Sequence, residues 1–398
     1  MGADAMNGNT VYWIWLSMAL GAAARVDEIL ACFSSPKEIF DSDRTERIIS
    51  GVFSKSQLEK LEKTPIKNAH IAIETCSRNG WKIYTPDDRE YPDMLRYLAD
   101  RPLVLYVDGD ISFLNSGVSV GVVGTRKPSY ESVEIARRIC SGISAMGAVV
   151  VSGGALGIDS AAHEGALSAN GKTVCVMGCG LGCGYLRENE DMRRRISRSG
   201  ALVTEYPPLM GVTRSSFPER NRIISGMSMG VLVVEAGEKS GSLITARRAN
   251  EQGRDVFAIP GSVLSSAYTG VNRLIRDGAK AVTCAEDILS GYQIMYPERI
   301  NLEAKVPEIA AEEPKNVRLK FVGGKKEETV LVRIRKEPPA HLDSDSLTVY
   351  NLFKDEPLHS DEICAMSGMS TARVLSALMM LEIEGLIEAT EGKCYQLV

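Results

Sequence analysis

Four short segments of the sequence each contain some of the glycines, hydroxyl groups and cations that are typical of phosphate-binding sites. Glycine lets a backbone approach a phosphate closely, hydroxyls and backbone N–H groups donate to its oxygens, and Arg or Lys supplies the opposite charge. The segments therefore predict the binding of phosphate groups. Their candidate residues are Gly124, Thr125, Arg126 and Lys127; Ser152, Gly153, Gly154, Gly157 and Asp159; Arg214, Phe217, Pro218, Arg220, Asn221 and Arg222; and Lys239, Ser240, Gly241, Ser242 and Thr245.

Three of the segments also have a simpler interpretation. Gly124–Lys127 can be a tight turn with solvated charges, and Pro128 suits the first turn of the helix that follows. Asp159 can contact a ligand, but its position favours a helix N-cap. Phe217 belongs either to the core or to a surface that stacks on bases, since an aromatic face among cations is how single strands are held without reading their sequence. Pro218 predicts that Phe217 lies outside a helix.

Spacing excludes several other chemistries. Ser152–Asp159 lacks the glycine spacing of a dinucleotide fingerprint, and Gly178–Gly180 stands where the acidic residue of such a site is expected. The sequence has no Walker lysine motif, no nucleophile elbow and no His-rich cluster. The three cysteines from Cys175 to Cys183 recur every fourth residue but lack a further zinc ligand nearby. We therefore predict no metal site, no cofactor and no enzymatic activity.

The elements that position these segments are apolar, β-branched runs that alternate with helix-length amphipathic stretches. Strands without a polar face predict a parallel sheet covered by helices on both sides, which is a doubly wound α/β fold. Such sheets bind ligands at the carboxyl ends of their strands, which is where the candidate segments lie. The predicted strands are Val118–Val123, Ala148–Val151, Thr173–Met177, Ala201–Thr204, Val231–Val234, Asp255–Ile259 and Ala281–Thr283.

Composition divides the chain into four parts. A helical domain precedes the sheet domain, and a stretch rich in Pro, Glu and Lys follows it as a linker, with one possible hairpin formed by Val317–Phe321 and Thr329–Ile334. The last part has the pattern of a winged helix, with three helices and a strand pair: Val349–Phe353, Ser360–Ser367, Thr371–Glu384, Leu386–Ala389 and Cys394–Val398. The predicted boundaries are 1–79, 80–290, 291–345 and 346–398.

Charge is distributed unevenly along the chain. The formal net charge of −5 argues against a nucleic-acid binder when it is taken as a whole. Residues 116–290, however, contain 20 Lys and Arg against 16 Asp and Glu, whereas residues 346–398 contain 3 against 8. The third helix of the winged helix offers Arg373 against Glu382 and Glu384, so we predict that this domain contacts a partner or stabilises the fold rather than binding DNA.

Cysteine use and hydropathy indicate a cytoplasmic protein. Nine cysteines without framework spacing are typical of free thiols in a reducing compartment. The apolar stretch Val11–Ala24 is too short to span a bilayer, and no Lys or Arg precedes it as a signal peptide requires. We expect no membrane span, and we assign His163, which lies on a helix, a structural role.

A series of ordered motifs resembles the DNA-processing protein A family (DprA, also called Smf). The resemblance covers nearly all of residues 80–290. It departs from the family after Gly180, where Gly182 and Tyr185-Leu186 replace the usual Asp and Tyr-Pro. The motifs are Gly124–Arg126, Ser152–Asp159, Gly178–Leu181, Thr204–Pro208, Phe217–Arg222, Ser240–Thr245, Ile259–Gly261 and Gly270–Ala279.

The resemblance implies an extended Rossmann fold, with a SAM-like helical module before it and a winged helix behind it. It implies that the protein binds and protects single-stranded DNA during natural transformation or recombination, helps to load the RecA recombinase, and forms homodimers through the Rossmann domain. By motif, Arg126, the Ser152–Gly157 loop, Arg214, Phe217 and Lys239 are the expected DNA-pocket residues. The alternative is a nucleotide phosphoribohydrolase on a related core, although Ser152–Asp159 lacks the Pro, the spacing and the Glu of that motif.

Overall fold

The computed structural model describes residues 8–22, 24, 26–184, 189–213, 215–307, 338–339, 342–353, 357–390 and 394–397. The chain divides into two compact units, Met1–Glu312 and Glu313–Val398. The hairpin expected at 317–334 lies outside the described residues.

The first unit begins with short helices that pack around two tryptophans. Trp13 and Trp15 are buried, and the indole N–H of Trp15 donates to the carbonyl of Thr64 at 2.9 Å. Val104 and Tyr106 complete the same apolar cluster, so these helices share their core with the edge of the sheet. The helices are α1 (Thr10–Leu20), α2 (Asp27–Cys32), α3 (Pro36–Asp41), α4 (Arg44–Ser50), α5 (Lys55–Lys63) and α6 (Ile66–Asn79).

A nine-stranded sheet forms the centre of this unit. Its strands are β1 (Lys82–Tyr84), β2 (Leu105–Gly109), β3 (Ser119–Val123), β4 (Val149–Ser152), β5 (Thr173–Val176), β6 (Ala201–Thr204), β7 (Gly230–Val233), β8 (Asp255–Ala258) and β9 (Lys280–Ala281). Their order is β1-β2-β6-β5-β4-β3-β7-β8-β9, with antiparallel pairing of β1 with β2 and of β2 with β6, and parallel pairing elsewhere. The predicted mostly parallel, doubly wound α/β fold is confirmed.

Alternate residues of the central strands face two separate apolar clusters. Val149 and Val151 of β4 belong to one cluster, and Val150 belongs to the other. Since each face is covered by helices, the strands have no polar face, and burying each valine contributes about 1.5–3 kcal/mol. The covering helices are α7 (Asp93–Arg96), α8 (Tyr130–Ala145), α9 (Ile158–Ser168), α10 (Glu190–Ser199), α11 (Ser216–Gly226), α12 (Ser242–Glu251), α13 (Thr269–Arg276) and α14 (Ala285–Met295).

The order of the strands reverses between β3 and β7. Residues of α8, α9 and α14 belong to the cluster on one face, and residues of α11 and α12 belong to the cluster on the other. The helices that follow β3 and β7 therefore leave the sheet in opposite directions. The carboxyl ends of these two strands border a crevice, which is the usual ligand position in doubly wound sheets.

The second unit is a winged helix with its own core. Its elements are α15 (Ser344–Leu352), β10 (Leu358–His359), α16 (Ser360–Ser367), α17 (Thr371–Ile383), β11 (Ile387–Ala389) and β12 (Cys394–Leu397), with the strands in the antiparallel order β10-β12-β11. The predicted helices and strand pair are present. The first helix starts earlier than expected because the Asp343 carboxylate accepts the N–H of Ser346 at 2.7 Å and caps it. The short β10 was not predicted.

No single helix among the described residues combines the length and apolarity needed to cross a bilayer. The bent pair α16 and α17 meets that criterion by length and composition only.

Candidate nucleic-acid interface

Residues of all four candidate segments meet at the carboxyl edge of the sheet. They enclose a cleft of about 450 Å³ between the ends of β3 and β7. Its floor includes Val123 and Ile224, and its rim carries the polar groups. The predicted residues that line it are Gly124, Thr125, Arg126, Asp159, Phe217, Pro218, Arg220, Asn221, Ser240, Gly241, Ser242 and Thr245.

Phe217 lies between two guanidinium groups. The Arg126 Cζ is 5.3 Å from the ring centroid, and the Arg220 Cζ is 6.0 Å from it, both within the range of a cation–π contact. The ring packs against Gly178, where a Cβ atom would come within 2.8 Å of it. Phe217 is half-buried, so it is neither a core residue nor a fully exposed one.

The expectation that Pro218 keeps Phe217 out of a helix is wrong. Helix α11 begins at Ser216 and includes both residues. Proline is compatible with the first turn because the first N–H groups of a helix have no partner within it. The side chain of Phe217 therefore has a fixed direction from a rigid element. Arg214, which was predicted beside it, lies outside the described residues.

Arg126 is the cation that the cleft presents to solvent. Its side chain is exposed, and no ion pair involves it within the described part of the chain. Lys127, next to it, is exposed as well. Lys239 is also exposed, but it lies outside the residues that line the cleft. A flexible lysine there can reach an anion only as a peripheral contact.

Arg220 has a different environment, since it is buried against the glycine-rich turn. Its guanidinium donates to the carbonyls of Gly153, at 2.7 Å, and Val176. Burial lowers the pKa of Arg220, an effect opposed by the nearby carboxylate of Asp159. Arg220 therefore ties the turn after β4 to α11, and its contact with the Phe217 ring holds that ring in place.

Asp159 is not a helix N-cap, in contrast to the expectation. Helix α9 begins at Ile158 and Gly157 occupies the capping position, with φ of +85°. Asp159 is buried in the first turn, where burial raises the pKa of its carboxyl group and Arg220 opposes that shift. It accepts the N–H of Ala155 at 3.4 Å. Its role in this geometry is to face Arg220 beneath the cleft.

Arg222 does not reach the cleft. Its guanidinium is 1% exposed and forms a two-pronged ion pair with Glu205, with both N–O distances 2.7 Å. Asp100 lies 3.7 Å from its Nε atom. Because the guanidinium is bound to Glu205 inside the protein, the structure places Arg222 among the residues that stabilise the fold.

The glycines allow the turns to pack on one another. A Cβ atom on Gly157 would lie 2.5 Å from the carbonyl oxygen of Thr125, and one on Gly124 would lie 2.5 Å from the Ile158 side chain. The Ile158 N–H donates to the Thr125 carbonyl at 3.2 Å. Ser152, Gly153 and Gly154 support this arrangement from below: the Ser152 hydroxyl donates to the Val122 carbonyl at 2.6 Å.

A buried carboxylate holds the turn after β3. Glu235 accepts the N–H and the hydroxyl of Ser129, both at 2.9 Å. Ser129 is also the N-cap of α8, accepting the Ser132 N–H at 3.2 Å. Helix α8 therefore begins after Pro128, which corrects the expectation that this proline lies in its first turn. Sequence reasoning missed Glu235, although its place at the end of a predicted strand was a usable signal.

The N-terminus of α12 forms the far wall of the cleft. The hydroxyls of Ser240 and Ser242 lie 2.8 Å apart, and Gly241 is the capping residue. The Thr245 hydroxyl is buried and has no hydrogen-bond partner among the described residues. These groups can donate to an anion, and the helix N-terminus favours a negative charge there.

The cleft is suited to binding. Arg126 and the donors of α12 lie on its walls, Phe217 offers an aromatic face, and the one carboxylate among its described lining residues, Asp159, is buried under Arg220. No group of three or more metal-ligating side chains occurs among the described residues. His163 is buried and its ring pairs with Thr173 at 2.7 Å, as expected of a structural residue.

Comparisons with known proteins identify one family for this chain. A family model described as DNA recombination-mediator protein A matches residues 82–293, and one described as the DprA winged helix domain matches residues 334–393. The chain is 34% identical to Protein Smf of Synechocystis over 81% of this chain and 82% of that protein, and 43% identical to DNA processing protein DprA of Bacillus subtilis over 50% and 67%. The X-ray structure of DNA processing protein A from Streptococcus pneumoniae is similar, with a TM-score of 0.61 at 34% identity, over 71% of this chain and 97% of that one.

Proposed function

This chain belongs to the DNA-processing protein A (DprA/Smf) family of recombination mediators, and from that premise we propose that it binds single-stranded DNA in the cleft between β3 and β7. The observation that carries the proposal is the contact between exposed Arg126 and the half-buried ring of Phe217 at the carboxyl edge of the sheet. A cation and an aromatic face side by side serve a phosphate and a base of the same strand.

The remaining groups fit the same ligand. Ser240, Ser242 and the N-terminus of α12 supply donors for a second phosphate, and Lys239, exposed outside the cleft, supplies a peripheral positive charge. Arg220 and Asp159 hold the cleft together from beneath. Arg222 is excluded from the proposed contact residues because its guanidinium is buried in an ion pair.

The test is the salt dependence of binding to a fluorescent oligothymidine. Arg126→Ala is expected to weaken binding about tenfold and to reduce the slope of log K against log salt by about 0.7, the value for one phosphate contact on a single strand. Arg276→Ala is the matched control, because Arg276 is 74% exposed and its loss changes the net charge equally. It lies at the C-terminus of α13, just before β9 begins, and therefore on the side of the amino ends of the strands, away from the cleft at their carboxyl ends. Unchanged affinity and slope in Arg126→Ala would refute the proposal.

We further propose that the protein helps to load RecA recombinase onto the bound strand, protecting incoming DNA in natural transformation and homologous recombination, and that it acts in the cytoplasm. The description of the matching family as recombination mediators supports this role. The direct assay is RecA filament formation on single strands coated with single-strand-binding protein. Addition of this protein should shorten the lag, and Arg126→Ala should not.

A homodimer through the Rossmann domain is proposed as well. Val263 and Leu264, in the turn after β8, are 89% and 95% exposed, and such an apolar pair is suited to protein contact.

We also propose that the protein is a binding protein without an enzymatic step. Incubation with nucleoside monophosphates should release no base.

A further inference from the structure

Two cysteine thiols lie side by side in the turn that follows β5. Cys179 is buried and Cys183 is half-buried, and neither forms a disulfide. The hydrogen bond between the two thiols, together with burial, raises the pKa of Cys179. Neither side chain lines the cleft, and the proposed DNA contacts do not use them.

The backbone holds the two cysteines at opposite ends of a short, anchored turn. The N–H of Cys183 donates to the Gly180 carbonyl at 2.9 Å, which closes the turn. Gly180 and Gly182 donate to the carbonyls of Met210 and Pro208, at 2.8 and 2.9 Å, and fix the turn against the segment that leads to α11. Cys183 also packs against the apolar cluster that contains Cys179, so the turn keeps the two side chains together, and a disulfide between them would have an S–S bond of about 2.05 Å.

We propose that Cys179 and Cys183 are a redox-active pair that a hydroperoxide oxidises to a disulfide. Cys183, the more accessible thiol, loses its proton, and its sulfur attacks the peroxide oxygen. The O–O bond breaks, leaving a sulfenic acid on Cys183 and releasing an alcohol, or water from hydrogen peroxide. The sulfur of Cys179 then attacks the sulfenic sulfur, so that the S–S bond forms and water leaves. Two thiols and one peroxide thus give one disulfide, one alcohol and one water. A dithiol reverses the reaction.

The pair is connected to the candidate interface through Gly178. The Phe217 ring packs on Gly178, the residue before Cys179, and Gly178, Cys179 and Phe217 line the same small pocket beside the glycine-rich turn. Drawing the Cys179 sulfur towards Cys183 alters the surface that supports the ring. Oxidation therefore weakens the stacking of a base on Phe217, and this step rests on the proposed function.

The first experiment follows the chemistry in the full chain. The reduced protein is treated with hydrogen peroxide and digested, and its peptides are weighed. The peptide that contains both cysteines should lose two hydrogens and regain them with dithiothreitol. Cys183→Ala should prevent this change. Cys32→Ala is the matched control, because it removes an exposed thiol elsewhere and should leave the change intact. Absence of the Cys179–Cys183 disulfide in the oxidised wild type would overturn the proposal.

The second experiment measures binding of the same samples to oligothymidine. Oxidation of the wild type should weaken binding at least about fivefold, the smaller end of what one stacked base contributes, and dithiothreitol should restore it. Cys183→Ala should be insensitive to peroxide. Equal affinity of the disulfide form and the reduced form would overturn the switch. Failure of the reduced protein to bind would instead refute the proposed function, and the peptide masses would still decide whether the pair is redox-active.

Discussion

Arg126 in the sheet domain and Arg373 in the winged helix are both exposed arginines, yet their surroundings differ. Arg126 rests on the ring of Phe217 and forms no close ion pair among the described residues, although it lies near enough to the buried Asp159 to lower the pKa of that carboxyl group. Arg373 is the one cation of α17, and it forms a two-pronged bond with Asp345, at 2.6 and 2.8 Å. The Rossmann cleft therefore keeps its cation available, whereas the winged helix neutralises its own.

The solvent-facing side of α17 extends this contrast. Leu375, Met379 and Met380 are exposed there, and they offer no hydrogen-bond donor to a base edge or a phosphate. The presence of a winged helix therefore does not by itself predict that this domain binds DNA. Whether a domain can bind a phosphate depends on which of its cations lack an ion pair and on which side chains lie beside those cations.

The largest effect is expected from a substitution of Arg222, the buried arginine of α11. Arg222→Met should lower the free energy of unfolding by about 3–5 kcal/mol, because Glu205 loses its partner inside the protein. Urea unfolding measures the change. The double variant Arg222→Met/Glu205→Leu should recover most of it. A well-folded Arg222→Met with normal stability but weak DNA binding would show that Arg222 belongs to the interface after all.

Acid should destabilise the Rossmann unit more than the winged helix. Burial lowers the pKa of His163 to about 3, below its unfolded value of about 6.5, so the unfolded state binds the extra proton between these limits. The contribution of neutral His163 to the free energy of unfolding is complete above pH 6.5. It is lost as the pH falls, by at most about 1.4 kcal/mol per pH unit. His359, in the other unit, is more exposed.

Unfolding followed at several pH values tests this difference. His163→Gln should reduce the pH dependence of the first unit, and His359→Gln should leave it unchanged. Equal slopes in the wild type and in His163→Gln would contradict the assignment.

Removal of the aromatic face should have the next largest effect. Phe217→Ala is expected to weaken binding of oligothymidine by about 1–3 kcal/mol, the contribution of one stacked base. Phe113→Ala is the matched control, because the Phe113 ring also has a cation next to it, with the Lys172 Nζ atom 4.3 Å from the ring centroid. Phe113 lies on the 3₁₀ turn before β3 and does not line the cleft. Equal losses in the two variants would indicate general destabilisation, and circular dichroism would detect it.

The smallest effect on DNA affinity is expected when the ion pair between Arg373 and Asp345 is removed. Asp345→Asn removes its partner, but the apolar face of α17 remains, so affinity for single- and double-stranded DNA should change by less than about twofold. Fluorescence anisotropy measures both. A clear gain in affinity would show that the ion pair alone keeps the winged helix from DNA, and it would narrow the contrast with Arg126.

Much of the fold was predictable because it depends on local patterns. The apolar runs that form β3 to β7 are buried on both faces, and the sequence displays that property directly. The four phosphate-type segments were also correctly placed at the carboxyl edge, since the strands before them were recognised. Their contribution to DNA binding remains a prediction.

Side-chain partners that are distant in sequence could not be predicted. Arg220 and Arg222 are two residues apart on α11, yet one supports the cleft and the other pairs with Glu205 at the end of β6. A list of nearby cations does not reveal which carboxylate faces each one. Phe217 illustrates a second limit, because Pro218 marks a helix start as readily as a break.

Photocrosslinking of the full chain to an oligonucleotide that contains 5-bromouracil is the most direct test of where the strand lies. Digestion and mass spectrometry identify the attached peptide. We predict attachment at the start of α11, on Phe217 or its neighbours, in the wild type and its loss in Phe217→Ala. Attachment confined to α17 or the strands of the winged helix would contradict the placement of DNA in the Rossmann cleft.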